Sequence, residues 1–335
     1  MANLGLICGR LIRSIAVIVA LSLVGPAIAQ KIDSSPNAPT EQQLLQKLHR
    51  IEGLGTIPDV RSYVVEQPAG RQWEIFHEVY LHWIGGIAII GIIALLVAFY
   101  AWRGTLRFGV RSGLKILRFS AFERFVHWLT AICFVLLAIS GLNITFGKTL
   151  VLPLVGPIAF SAWSQAAKFG HNYLSFPFTI GVVLIFVLWV ADNFPTRADI
   201  DWLKKGGGMF GGEEPPVYRF NAGEKLIFWL VVIGGVMTAA SGYLLLFPFY
   251  GTNIANMQAA QLVHSVIGVL YIAAMLVHVY MGTLGMEGAF EGMASGEVDA
   301  NWAKVHHPLW YNDLISSKLK RRAEAPLEKV AVKSR

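Results

Sequence analysis

Five stretches of the chain, about 81–102, 124–146, 172–191, 225–248 and 259–284, stay apolar for the roughly 20 residues that a bilayer-spanning helix requires. A sixth, over 14–24, is shorter and follows Arg10 and Arg13, and Ala27-Ile-Ala29 places small residues at cleavage positions. This pattern predicts a secretory signal peptide over 1–29, with an uncleaved anchor helix as the alternative. Residues 30–80 are polar and hold Pro36, Pro39, Pro58 and Pro68, while Leu44, Leu45, Leu48 and Ile51 recur at helical spacing within 41–53. They read as a short exported arm or as a linker. The expected fold is an all-α integral membrane protein with an additional transmembrane helix at 81–102, a basic loop at 103–123, a four-helix bundle over 124–284 and a tail over 285–335.

Composition agrees: 55% of the 335 residues are hydrophobic and 15% charged, against about 25% charged in soluble domains. The net charge of +7 sits in loops and tail, as membrane topogenesis predicts, and not in a nucleic-acid-binding surface. Arg103, Arg107, Arg111, Lys115 and Arg118 follow the first span with no acidic residue among them. The positive-inside rule therefore puts this loop in the cytoplasm and the mature N-terminus outside. Alternation then places the tail, with Lys318, Lys320, Arg321 and Arg322, inside as well.

Ionisable side chains inside a membrane are costly and point to function. His127 opens the second span on the cytoplasmic side, and His171 opens the third on the external side. In the last span His264 lies near the external end and His278 near the cytoplasmic end. The 14 residues between His264 and His278 give a rise of roughly 21 Å on nearly one helix face, so one helix can serve two stacked centres. Matching depths pairs His127 with His278 and His171 with His264. Two imidazoles from facing helices are a ligand set for a haem iron, and an apolar porphyrin edge suits a lipid-embedded bundle. Gly141, Gly170, Gly268 and Gly282 leave room for a flat macrocycle or for ordinary helix contacts. Helix-to-helix hydrogen bonding is the plainer use of any one such histidine, and a zinc site lacks further ligands at either depth.

The other candidates have ordinary explanations. His77 and His82, five residues apart, do not align on an α-helical face, and His49 reads as a surface residue. His306 and His307 fall in the tail, away from the membrane core. Cys8 and Cys133 support neither a disulfide nor a cysteine-ligated cluster. Asn221, with Glu224 three residues on, has the pattern of a helix N-cap and capping box. Glu123, Asp192 and Glu224 are candidates for proton uptake, or interfacial charges paired with Arg124 or Lys225.

With these residues in view, the chain resembles the cytochrome b (gamma) subunit of membrane-bound respiratory formate dehydrogenase over about 115–315. The resemblance rests on Arg118-Phe-Ser-Ala-Phe-Glu-Arg-Phe-Val-His-Trp128, Ala138-Ile-Ser-Gly-Leu-Asn143, Phe220-Asn-Ala-Gly-Glu-Lys225, Leu262-Val-His264, Val277-His278 and Gly285-Met-Glu-Gly-Ala-Phe290. It implies a four-helix bundle with two haems b on the same two histidine pairs. It also implies a quinone pocket beside the haem of His127 and His278, with Asn221, Gly223 and His278 contributing. The implied partners are an iron–sulfur (beta) subunit and a molybdenum or tungsten catalytic (alpha) subunit, with a higher oligomer of the complex open. The signal segment, arm and extra span over about 1–105 depart from the shortest members and bear on how that partner docks.

The function so implied is a membrane anchor that passes electrons from a periplasmic iron–sulfur subunit across the bacterial inner membrane to ubiquinone or menaquinone. Formate itself would be oxidised on a partner. The rivals are the cytochrome b subunit of a nickel–iron hydrogenase or another quinone-linked dehydrogenase, a haem-binding scaffold that passes no electrons, and a histidine-lined transporter.

Overall fold

The computed structural model of the protein describes residues 70–208, 215–248 and 250–324. The signal segment, and the arm as far as residue 69 with the helical spacing read over 41–53, lie outside the described residues. From Trp73 onwards the chain forms one compact unit.

Five helices among the described residues are long and apolar enough to cross a membrane. They are α1 (Leu81–Arg103), α2 (Ala121–Leu150), α3 (Leu152–Trp189) and, after the short α4 (Arg197–Lys204), α5 (Ala222–Leu246) and α6 (Ile254–Tyr280). Polar caps set the starts of α2, α5 and α6. The Ser120 hydroxyl accepts from the Glu123 N–H at 3.3 Å while the Glu123 carboxylate accepts from the Ser120 N–H at 2.8 Å. Asn221 and Glu224 repeat the arrangement at 2.9 Å in both directions, so the capping box legible in the sequence is present. The third span extends back to Leu152, where the sequence suggested an external connection. Residues 152–171 favour a helix but carry Ser161, Ser164, Gln165 and Lys168, too polar for a span. Gly156, at φ 78° and ψ 168°, kinks this extension in a conformation that residues with a Cβ rarely adopt.

The hairpins α2–α3 and α5–α6 pack together chiefly through α3 and α5, while α2 and α6 scarcely touch. The additional helix α1 runs along α6. At Gly85 the helix lies close against the bundle, since a Cβ there would meet Phe146 at 2.6 Å and Val269 at 3.6 Å. The rest of α1 presents Ile87, Ile90, Leu95 and Val97 outward, and only 6% of its apolar window is buried. Such a face suits lipid and no aqueous surface.

At the end of the bundle that carries Ser120 and Asn221, the segments read as a loop and a tail fold together. Strand β1 (Lys115–Leu117) pairs antiparallel with β2 (Glu297–Asp299). Helices α7 (Ala289–Ala294), α8 (Ala300–His306) and α9 (Pro308–Glu324) flank them. Phe108, Ile116, Val298, Trp302 and Ala303 form a small core, covered by Trp310, Tyr311 and Leu314. Asp299 ties the segments: its carboxylate accepts from the N–H groups of Ser112, Gly113 and Asn301 and from the Ser112 hydroxyl at 2.8–3.1 Å. Burial raises the Asp299 carboxyl, but these donors outweigh it and hold its pKa at about 2.

Candidate cofactor-binding site

The four histidines meet in two pairs. His127 on α2 faces His278 on α6 with ring centroids 6.2 Å apart, and His171 on α3 faces His264 on α6 at 6.0 Å. The rings are steeply inclined to each other, by 61° and 74°. With a metal–imidazole bond of about 2 Å, two rings facing each other across one ion stand roughly 6.3 Å apart centre to centre. Both pairs have the separation that a single bridging metal demands, and neither makes a direct hydrogen bond across the gap. A Cβ at Gly170, Gly268 or Gly282 would meet nothing within 4 Å. These glycines are therefore not close helix contacts, and the space beside them can take a flat group.

The hydrogen bonds of one pair fix which nitrogen faces inward. Ser140 donates its hydroxyl proton to the carbonyls of Leu136 and Leu137, at 2.8 and 3.0 Å. It therefore accepts from His171 Nδ1 at 2.8 Å. Ser241 likewise donates to Met237 at 2.7 Å and accepts from His264 Nδ1 at 3.2 Å, and the Thr238 carbonyl accepts from the same nitrogen at 3.0 Å. Nδ1 carries the proton in both rings, which leaves the Nε2 lone pairs for a metal. Gly141 and Gly242 let these rings lie on their helices. A Cβ would approach His171 Cε1 at 3.5 Å and His264 Cε1 at 3.0 Å respectively.

These supports come from a repeat that a reading of isolated motifs passes over. Arg118-Phe-Ser-Ala-Phe-Glu-Arg124 corresponds to Arg219-Phe-Asn-Ala-Gly-Glu-Lys225, Trp128 to Trp229 and Ser140-Gly141 to Ser241-Gly242, each at the 101-residue separation of Arg118 from Arg219. The chain set against itself at that offset would have found Ser140, Ser241 and Gly242. His171 and His264 occupy corresponding places, each bonded to the serine of its own hairpin. The other pair breaks the symmetry. His127 corresponds to Phe228, and the position in α3 that matches His278 is Ile185. Phe228 and Ile185 are packed together in one buried apolar cluster.

The repeat is also visible at the end of the bundle. Arg118 donates to the Arg219 carbonyl and to Glu224 Oε1, both at 2.9 Å. Arg219 donates to the Arg118 carbonyl at 2.9 Å and to Glu123 Oε1 at 2.6 Å, and also reaches Asp192 at 2.9 Å. The three carboxylates considered for proton uptake are thus bound to these arginines. The partners weighed in the sequence are engaged elsewhere: Arg124 with the Ala294 carbonyl at 2.9 Å, and Lys225 with Asp199 at 2.7 Å. His307, which the sequence left in a tail, is buried against this network. It donates from Nδ1 to the Tyr218 carbonyl at 2.8 Å and accepts from Arg118 at 3.2 Å. Burial first, and Arg118 next, hold its pKa down at about 3.

Asn221 is buried, and its Oδ1 is committed to the cap of α5. Gly223 lies against Trp202 of α4, whose ring a Cβ would meet at 3.2 Å. Trp202 is itself buried with its indole N–H unpartnered, a neighbour of Asn221 and Gly223 that sequence alone did not single out. His77 and His82 do come together, at 6.2 Å between centroids, because Phe76–Tyr80 is a π-helical turn and residues five apart then share a face.

Residues 118–296 match the family model described as prokaryotic cytochrome b561. The segment is closed on itself, since the Arg118 N–H donates to the Gly296 carbonyl at 2.8 Å. Among curated proteins, the chain is 31% identical over 203 residues to the cytochrome b556(fdo) subunit of formate dehydrogenase from Escherichia coli K12, covering 59% of this chain and 93% of that one. The cytochrome b556(Fdn) subunit of the nitrate-inducible formate dehydrogenase of the same organism is 29% identical over 221 residues, 62% of this chain and 96% of that one. The cytochrome b556 subunit of formate dehydrogenase from Haemophilus influenzae is 26% identical over 215 residues, 63% and 88% of the two chains. The bundle, its paired histidines and the matched segment lead to one conclusion: the chain is a multi-pass membrane protein that belongs to the prokaryotic cytochrome b561 family, with formate dehydrogenase cytochrome b subunits among its relatives.

Proposed function

We propose that this chain is the di-haem membrane subunit of a formate dehydrogenase, carrying electrons from a periplasmic iron–sulfur subunit to quinone. His127 and His278 would hold one haem b, and His171 and His264 the other. The observation that carries the reading is the pair of ring separations, 6.2 and 6.0 Å, at two depths of one bundle. Haem, when bound, supplies one-electron chemistry at its iron. The protein's part is to hold the ligand rings apart, fix their protonated nitrogens and exclude water.

The arginine end would face the cytoplasm across the bacterial inner membrane, a reading supported by the basic residues 103–118 and by the signal-like segment, which favours an exported N-terminus. His171 and His264 then lie near the periplasmic face, within reach of an iron–sulfur partner. Formate oxidation belongs to a further molybdenum or tungsten subunit, because this chain lacks the cysteines for iron–sulfur clusters. Quinone would bind at the cytoplasmic end beside His278. Asn221 can offer its amide nitrogen and Gly223 a close backbone, with Trp202 forming the wall beside them. Glu224, fixed by Arg118 and by the cap, would serve there as a bound anion.

The test is purification of the complex from its native membrane, followed by reduction with formate, quinol and dithionite. Copurifying iron–sulfur and molybdenum or tungsten subunits, with a b-type spectrum reducible by both formate and quinol, are expected. A hydrogenase as the copurifying enzyme would replace the donor, and a haem signal that quinol leaves oxidised would overturn the conduit.

A further inference from the structure

Building on the two-haem reading, we infer that the hydrogen bonds at Nδ1 of His171 and His264 order the two haem potentials, making the periplasmic-side centre the stronger reductant, with Ser140 and Ser241 as the positioning residues.

An imidazole that donates its Nδ1–H to a good acceptor carries more electron density on the ring, and its Nε2 becomes a stronger donor to a metal. Stronger donation favours the ferric over the ferrous state and lowers the potential. At His171 the acceptor is the Ser140 hydroxyl oxygen at 2.8 Å. At His264 they are the Thr238 carbonyl at 3.0 Å and the Ser241 hydroxyl oxygen at 3.2 Å. Ser140 and Ser241 are themselves equivalent positions of the internal repeat, so both ligands of this centre receive the same support.

The other pair is built differently. His127 Nδ1 is buried with no hydrogen-bond partner, so this ring gains no basicity from the protein. The carboxylate that acts on His278 is Glu224, and it is paired to Arg118 at 2.9 Å, so it brings little uncompensated charge to that ring. The repeat shows where the asymmetry arose. The supported pair consists of equivalent histidines, whereas His127 and His278 have Phe228 and Ile185 as counterparts and no serine equivalent to Ser140 bonds to His127. The resulting order of potentials favours electrons moving from the iron–sulfur side to the quinone side.

The experiment is a spectroscopic redox titration of the haem-loaded chain, comparing wild type with Ser140→Ala, Ser241→Ala and the double variant. Each haem's component is assigned by its loss in His264→Ala or His127→Ala. In wild type the haem lost in His264→Ala has the lower midpoint. In the double variant that midpoint rises while the other stays in place, and a tenfold change in ferric preference reads as about 59 mV. Ser140→Thr and Ser241→Thr, which keep a hydroxyl, return the midpoint toward wild type. Should the double variant lose the haem, Ser241→Ala alone decides, because His264 keeps the Thr238 carbonyl and a smaller rise is required. An unmoved midpoint, an equal shift of both haems, or the opposite order in wild type overturns the inference. A chain with fewer than two b-type haems would instead overturn the proposed function beneath it.

Discussion

Arg118 and Arg219 each donate to the other's main-chain carbonyl, at 2.9 Å in both directions. Each also binds the capping glutamate of the other's hairpin, Arg118 with Glu224 and Arg219 with Glu123. This clasp joins the starts of α2 and α5, the two helices that carry the serines beside His171 and His264. Arg118 is the more enclosed, with a side chain 4% exposed against 23% for Arg219, and its guanidinium lies over Phe119 and Trp302 at 5.0 Å from each ring centre.

Removal of one partner of a buried ion pair costs about 3–5 kcal/mol, and of an exposed one about 1 kcal/mol or less. Glu224 keeps 35% of its side chain exposed, so Arg118→Ala should destabilise the bundle by roughly 2–3 kcal/mol. Arg219→Ala should cost less. Denaturant titrations of the detergent-solubilised chain would rank the two, and equal or reversed losses would contradict a clasp centred on Arg118.

Acid should loosen the packing around His307 and the β1–β2 pair. His307 stays neutral in the fold down to about pH 3, whereas an unfolded histidine titrates near 6.5. Below that value the unfolded state binds a proton that the folded state refuses, and stability falls by up to about 1.4 kcal/mol per pH unit. Asp299 works the same way lower down. Its folded pKa of about 2 stabilises the fold above the ordinary aspartate range near 3.9 and loses that effect as pH falls toward 2. Proteolysis of the segment after residue 285 at pH 7 and pH 5 measures the effect. His307→Asn should flatten the difference, and equal cleavage rates in the wild type would contradict it.

The two glycines beneath the histidine rings should respond unequally to a methyl group. A Cβ at Gly141 stands 3.5 Å from His171, ordinary contact, whereas one at Gly242 stands 3.0 Å from His264. Gly242→Ala should therefore displace the His264 ring and reduce haem retention severalfold, while Gly141→Ala stays near wild type. Haem-to-protein ratios after purification decide between these outcomes.

Much of this was legible in the sequence because membranes impose simple rules. Length and apolarity gave the five spans, and the interval between His264 and His278 gave one helix serving two depths. The capping box at Asn221 followed from residue type and spacing. What stayed hidden depends on contacts between residues far apart in the chain. The sheet of β1 with β2 joins Ile116 to Val298, each segment too short to announce a strand. His307 and Arg118 meet across 189 residues, and nothing local marks a tail histidine as buried. The 101-residue repeat was present in the sequence but needed the two hairpins to be compared with each other.

Trp202 is the neighbour of Asn221 and Gly223 that can donate a hydrogen bond without breaking another, since its indole N–H has no partner. Trp202→Phe keeps an aromatic ring at this position and removes the donor, together with the outer ring edge that lies against Gly223. A quinone analogue that accepts at this nitrogen should bind the variant about tenfold more weakly, the loss of roughly 1.4 kcal/mol that one hydrogen bond carries. Haem spectra should not change. Unaltered inhibitor binding in a fully haem-loaded variant would remove Trp202 from the pocket.

Counting and titrating haem in wild type, His264→Ala and His127→Ala prepared side by side tests whether two haems sit on these two histidine pairs. Wild type should show two b-type components and each variant should lose a different one, with the remaining component titrating near its wild-type midpoint. Retention of both haems in either variant, or loss of the same component in both, would contradict the pairing.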